Sequence, residues 1–114
     1  MNKLEFSTNW NNKLDCKCFT TIRIYNARKH FKGNVFDVFL KNQHKSKVEI
    51  LSVGNIKIND LTDYICYLDT GYSRAETIEI LHKMYPRIDF KTQHLAIVLL
   101  KIIEPPKPKQ ESLF

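Results

Sequence analysis

From Leu95 to Ile103 the chain reads Leu-Ala-Ile-Val-Leu-Leu-Lys-Ile-Ile, apolar at every position but one. A segment of this kind forms a strand buried on both faces, and no other feature limits the fold as strongly. Its longest unbroken apolar piece, Leu95 to Leu100, is far shorter than the roughly 18–20 residues of a membrane-spanning helix. Met1-Asn2-Lys3 leads into no signal-peptide core, so a soluble, cytoplasmic protein is expected, without membrane contact.

Upstream, Lys3 to Ser7 alternates weakly as a short strand, and Asn9 can cap a brief helix with Trp10 and Leu14 on one side. Phe19 to Tyr25 reads as a second strand. Alternation puts Phe19, Thr21, Arg23 and Tyr25 on one face, expected to present a hydroxyl, a guanidinium and two rings, and Thr20, Ile22 and Ile24 on the other. A basic loop from Arg28 to Asn34 follows, then strands over Val35–Lys41 and Lys47–Val53 joined by a polar connector at Asn42–Lys45. Gly54-Asn55 reads as a bulge or bend before Ile56-Lys57-Ile58.

Asn59 or Asp60 is expected to start a helix through roughly Tyr67, with Asp69-Thr70-Gly71-Tyr72 as a loop. Ser73-Arg74-Ala75-Glu76 is a capping box, and Pro86 stops the helix it opens. With 114 residues, 43% of them apolar, the chain holds one domain over residues 1–103 and a Pro-rich tail over 104–114. The order of elements describes an α+β domain with a small, partly closed mixed β-barrel and two to three helices.

The net charge of +6 is unevenly spread. Residues 1–57 hold eleven Lys and Arg against four Asp and Glu, whereas residues 58–114 hold seven against eight. The basic half contains the Thr21/Arg23 strand, and a basic face favours anionic partners such as nucleic acid. Three cysteines cannot all pair, which fits a reducing compartment. Cys16-Lys17-Cys18 is too closely spaced for a tetrahedral zinc site, and the four histidines are scattered. No metal and no cofactor is expected.

Phe19-Thr20-Thr21-Ile22-Arg23, the basic loop to Phe31-Lys32-Gly33-Asn34, the strand Val35-Phe36-Asp37-Val38, the helix from Ser73 to Met84-Tyr85-Pro86 and the closing apolar strand together resemble the ASCH domain family. That resemblance implies a PUA-like β-barrel associated with RNA binding and RNA modification. Within the family, the small bacterial amidohydrolases that deacetylate N4-acetylcytidine are similar in length and layout. They use a threonine, a lysine three residues before it and a glutamate before the long helix. Thr21 matches the threonine; Cys18 stands at the lysine position and Thr70 at the glutamate position, with Lys17 and Asp69 each one residue away. The candidate catalytic set is therefore Thr21, Lys17 and Asp69.

The candidate binding set is Thr21 and Arg23 on one face, Lys32 and Gly33 at a strand entrance, and Tyr72 and Ser73 before the capped helix. Arg23 suits a phosphate or base edge, a backbone amide at Gly33 an anion, Tyr72 a base to stack on, and the amides after Ser73 a phosphate. RNA, single-stranded nucleic acid or a nucleotide is the expected partner, with deacetylation as the alternative. In the tail, Gln110, Ser112, Leu113 and Phe114 resemble the bacterial sliding-clamp binding motif, although Glu111 departs from it. This implies an adaptor recruited to the DNA sliding clamp.

Overall fold

The computed structural model describes residues 2–104. In chain order these form β1 (Lys3–Phe6), a 3₁₀ segment (Trp10–Asp15), β2 (Cys18–Ile24), β3 (Val35–Leu40) and β4 (Gln43–Ile56). A 3₁₀ turn (Ile58–Asp60), α1 (Asp63–Thr70), α2 (Arg74–Met84) and β5 (Leu95–Glu104) complete the domain. The strands make one sheet in the order β1-β3-β4-β5-β2, with β1 parallel to β3 and the other neighbours antiparallel.

The sheet curls until its two edge strands meet. Phe6 of β1 and Phe19 of β2 pack edge to face at 6.2 Å, and the Arg23 guanidinium of β2 donates to the Glu5 carbonyl of β1 at 3.0 Å. The result is an α+β domain built on a curled five-stranded half-barrel, as the element order requires.

The apolar run from Leu95 to Ile103 explains why the core has two parts. Strand β5 is flanked by β4 and β2, and its residues feed both sides of the sheet. Ala96, Val98 and Leu100 join Leu4, Phe6, Leu14, Phe19, Phe36, Val38, Val48 and Ile50 within the curl. Leu95 joins Ile22, Leu61, Cys66, Leu81 and Phe90 in a second cluster to which the helices contribute.

Several boundaries differ from the sequence expectation. Strands β3 and β4 run up to a two-residue turn, with Leu40 opposite Gln43. Lys41 and Asn42 take positive φ of 51° and 67°, the backbone of a tight hairpin whose twist matches the strands it joins. Nor does Gly54 interrupt β4: it stays in register opposite Ile97, and the irregularities fall at Lys47/Val48 and Ile50/Ser52. Its backbone remains in the ladder, so the absence of a side chain does not break the strand.

Asn59 and Asp60 lie in the separate 3₁₀ turn. Helix α1 begins only at Asp63, where the Thr62 hydroxyl accepts the Ile65 amide. Asp69 and Thr70, expected in a loop, close the last turn of α1, and Gly71 at φ 82° ends it in the left-handed conformation that glycine adopts without penalty. The Ser73–Glu76 capping box opens α2 as expected. None of the helices among the described residues is long and apolar enough to cross a membrane.

Candidate functional site

The cleft at the barrel seam begins with two asparagines. Asn11 and Asn12 hold φ of 56° and 53° and divide the 3₁₀ segment into two turns, a backbone region that asparagine tolerates better than most residues. The Asn9 carboxamide accepts the Leu14 amide at 2.9 Å and donates to Asp15 at 3.0 Å, fixing the second turn. Trp10 and Lys13, three residues apart across this kink, both face the seam.

Lys13 is buried there beside Asp69. Its Nζ lies 3.1 Å from Asp69 Oδ1, with the two side chains only 6% and 4% exposed. The same carboxylate oxygen accepts the Thr20 hydroxyl at 2.8 Å. Burial pushes the Lys13 amine below the ordinary lysine value, the Asp69 charge and hydrogen bond oppose this, and the nearby Arg23 charge adds to the lowering.

Arg23 forms the other wall. Its Nε donates to Thr21 Oγ1 at 3.0 Å, its Nη2 reaches the Glu5 carbonyl, and its guanidinium lies 4.6 Å from the centre of the Phe6 ring. Burial lowers its pKa from the usual value, against the opposing influence of Tyr85, Asp69 and Glu5. Glu5, Trp10, Lys13, Thr21, Arg23 and Asp69 therefore share one cleft, closed on its far side by Leu81 and Met84 of α2.

The cleft holds only about 50 Å³, well below the roughly 300–1,000 Å³ of a site that engulfs a whole small molecule. It admits a substituent or one edge of a ligand. A wider chamber of about 280 Å³ adjoins it, sharing Trp10 and Ile80 and adding Tyr72, Glu76, Glu79 and Lys83. Trp10 and Tyr72 meet edge to face at 5.9 Å on its wall.

The sequence-derived candidates separate into distinct places. Thr21, Arg23 and Asp69 line the cleft, and Tyr72 lines the outer chamber. Lys17 is exposed and its carbonyl accepts the Ile102 amide; the lysine in the cleft is Lys13. Lys32 is exposed on the basic loop. The Gly33 amide, at φ 91°, already donates to the Ile50 carbonyl at 2.8 Å. Ser73 is engaged in the cap: its hydroxyl accepts the Glu76 amide, and its amide donates to the Glu76 carboxylate. Gln110, Ser112, Leu113 and Phe114 lie outside the described residues.

The face expected to present Thr21, Arg23 and two aromatic rings is covered. Phe19 and Thr21 are buried, and Tyr25 packs against the inner core. Because the sheet curls, this face of β2 lines the interior of the seam. Lys13, Trp10 and Glu5 were not legible as site residues, since a lysine in a short polar segment resembles solvated surface. The one signal was the spacing of Trp10 and Lys13, which falls on one side of a helical turn. Among the described residues no cluster of three His, Cys, Asp or Glu side chains is arranged to hold a metal ion.

No family model matches the sequence, and no curated protein matches it. The fold does match a solved structure, protein EF3133 from Enterococcus faecalis V583, assigned to the family model DUF984. The two superpose with a TM-score of 0.64 at 7% identity, over 85% of this chain and 71% of the other. At that identity the likeness concerns the fold, and this chain is similar to that protein in architecture.

Proposed function

We propose that the seam cleft binds a nucleoside or nucleotide, free or within single-stranded RNA. The observation that carries this reading is the pairing of a small cleft that holds the Lys13–Asp69 ion pair with a wider chamber walled by Trp10 and Tyr72. In the cleft the Lys13 charge is offset by Asp69, and Arg23 is held by the Glu5 carbonyl and the Thr21 hydroxyl. That balance suits a neutral polar group, such as a carbonyl or an exocyclic amide, better than a free anion. The aromatic wall suits the face of a base. The resemblance to ASCH domains supports the same ligand class.

Calorimetric titration with cytidine, N4-acetylcytidine and a short single-stranded RNA tests the reading. Saturable binding is expected, weakened at least tenfold by Thr21→Val. Absence of binding by all three ligands would overturn it.

One observation favours hydrolysis as a second reading: Lys13, with its lowered pKa, shares the cleft with Thr21 and Asp69. A lowered pKa enlarges the neutral fraction of the amine, which can then take a proton from a hydroxyl nucleophile. In that reaction the Thr21 oxygen bonds to the acyl carbon of an amide, its proton passes to Lys13, and Lys13 returns that proton to the nitrogen as the C–N bond breaks and the amine departs. Water then hydrolyses the threonine ester. Acetate release from N4-acetylcytidine, abolished by Thr21→Ala and by Lys13→Met, is the expected result; no release by the unmodified protein contradicts it.

A further inference from the structure

Arg23 lines a second recess that opens beside the seam cleft. This recess, of about 180 Å³, is bordered by Lys3, Arg23, Asn26, Lys29, His30 and Tyr85 over an apolar floor of Leu4, Ile24 and Phe36. Arg23, Lys29 and His30 are among its lining residues and no Asp or Glu is; the Lys3 ammonium lies 5.0 Å from the centre of the Phe39 ring. The cleft differs in that the Asp69 carboxylate there lies 3.1 Å from the Lys13 ammonium, whereas no Asp or Glu lines the recess.

The loop that supplies Lys29 and His30 is built rather than merely basic. The Asn26 carbonyl accepts the amides of Lys29 and His30 at 3.0 and 2.8 Å, and its side chain accepts the Arg28 amide at 2.9 Å. Asn34 donates to the Lys29 carbonyl at 2.7 Å. The His30 Nδ1 accepts the Asn26 amide at 3.0 Å, which leaves the proton of the neutral ring on Nε2 as a donor. Burial, together with the charges of Arg23 and Lys29, lowers the His30 pKa. An anion in the recess would offset that repulsion.

The recess and cleft share Arg23 as a common lining residue. Glu76, Glu79, Ile80 and Lys83 of α2 border the outer chamber, Leu81 and Met84 the cleft, and Tyr85 the recess.

We infer that this recess is a phosphate subsite, in which Arg23, Lys29 and His30 hold the phosphate of the nucleotide whose base occupies the seam. The inference extends the proposed ligand class and rests on it for the base, but the phosphate contact has its own test. Cytidine, cytidine 5′-monophosphate and a short single-stranded RNA are compared by calorimetry at low and high salt. In parallel, the His30 pKa is followed by NMR with inorganic phosphate or with chloride at matched ionic strength.

The monophosphate is expected to bind at least tenfold tighter than the nucleoside at low salt. Lys29→Ala with His30→Ala removes most of that gain while leaving cytidine affinity unchanged. Inorganic phosphate raises the His30 pKa. Tighter binding of RNA than of monophosphate identifies a strand backbone as the source of the phosphate, and the reverse identifies a free nucleotide. If cytidine does not bind but phosphate still raises the His30 pKa, the base reading fails and the subsite stands. Equal affinities for nucleoside and monophosphate, or a His30 pKa unmoved by phosphate, would overturn the subsite.

Discussion

The Arg23 guanidinium joins the two edges of the sheet, donating through Nη2 to the Glu5 carbonyl at 3.0 Å and through Nε to the Thr21 hydroxyl at 3.0 Å. One side chain thus ties β1 to β2 and forms a wall shared by the cleft and the basic recess. Hydrogen bonds from a charged group are worth about 1.5–3 kcal/mol each, so Arg23→Ala, which removes two, is expected to lower stability by about 3 kcal/mol or more. Arg23→Lys recovers only part of this, because an ammonium cannot reproduce the planar fork. Chemical denaturation measures both; equal stability of Arg23→Ala and the unmodified protein would show that the seam is closed by other contacts.

The Lys13–Asp69 pair is buried on both sides, so removing one partner strands the other charge. Lys13→Met is expected to cost about 3–5 kcal/mol, and Lys13→Met combined with Asp69→Leu less than that single change. Unfolding midpoints in urea report both. A double variant less stable than Lys13→Met would contradict the pairing.

The same lysine sets a pH dependence. Its pKa in the folded chain lies below its unfolded value, so between the two values the unfolded chain binds more protons. Stability contributed by Lys13 therefore rises with pH through that window, which closes near the unfolded value of about 10.4. Unfolding free energies measured from about pH 8 to about pH 10 should climb more steeply for the unmodified protein than for Lys13→Met. Parallel slopes would place the lysine titration outside the fold's control.

Ser46 is 1% exposed, and its hydroxyl has no hydrogen-bond partner among the described residues. It sits opposite Val38 in the β3–β4 ladder. Replacing a buried, unpartnered hydroxyl with a methyl group relieves its desolvation, so Ser46→Ala is expected to raise stability by about 1 kcal/mol. A loss of stability would mean that the hydroxyl has a partner in solution.

How far the sequence reached depended on whether a feature was local. The capping box at Ser73–Glu76 and the apolar run over Leu95–Ile103 are written in consecutive residues, and both elements formed where expected. Strand β2 was legible for the same reason. The closure of the sheet was not, because nothing near Arg23 in sequence says that Glu5 will stand beside it. That closure turned an expected open face into a cleft lining. Lys13 was hidden for a related reason: its burial depends on two left-handed asparagines and on Asp69, which closes a helix 56 residues away. The helix start at Asp63 was displaced because Thr62, not Asn59 or Asp60, caps it.

Trp10, the single tryptophan of the chain, borders both the cleft and the outer chamber, so its fluorescence reads the proposed site without a label. Titration with N4-acetylcytidine should give a saturable change in Trp10 emission, with the midpoint shifted at least tenfold in Arg23→Ala variants that remain folded. An emission spectrum indifferent to nucleosides and nucleotides alike, or a midpoint unchanged by Arg23→Ala, would contradict a ligand site at the seam.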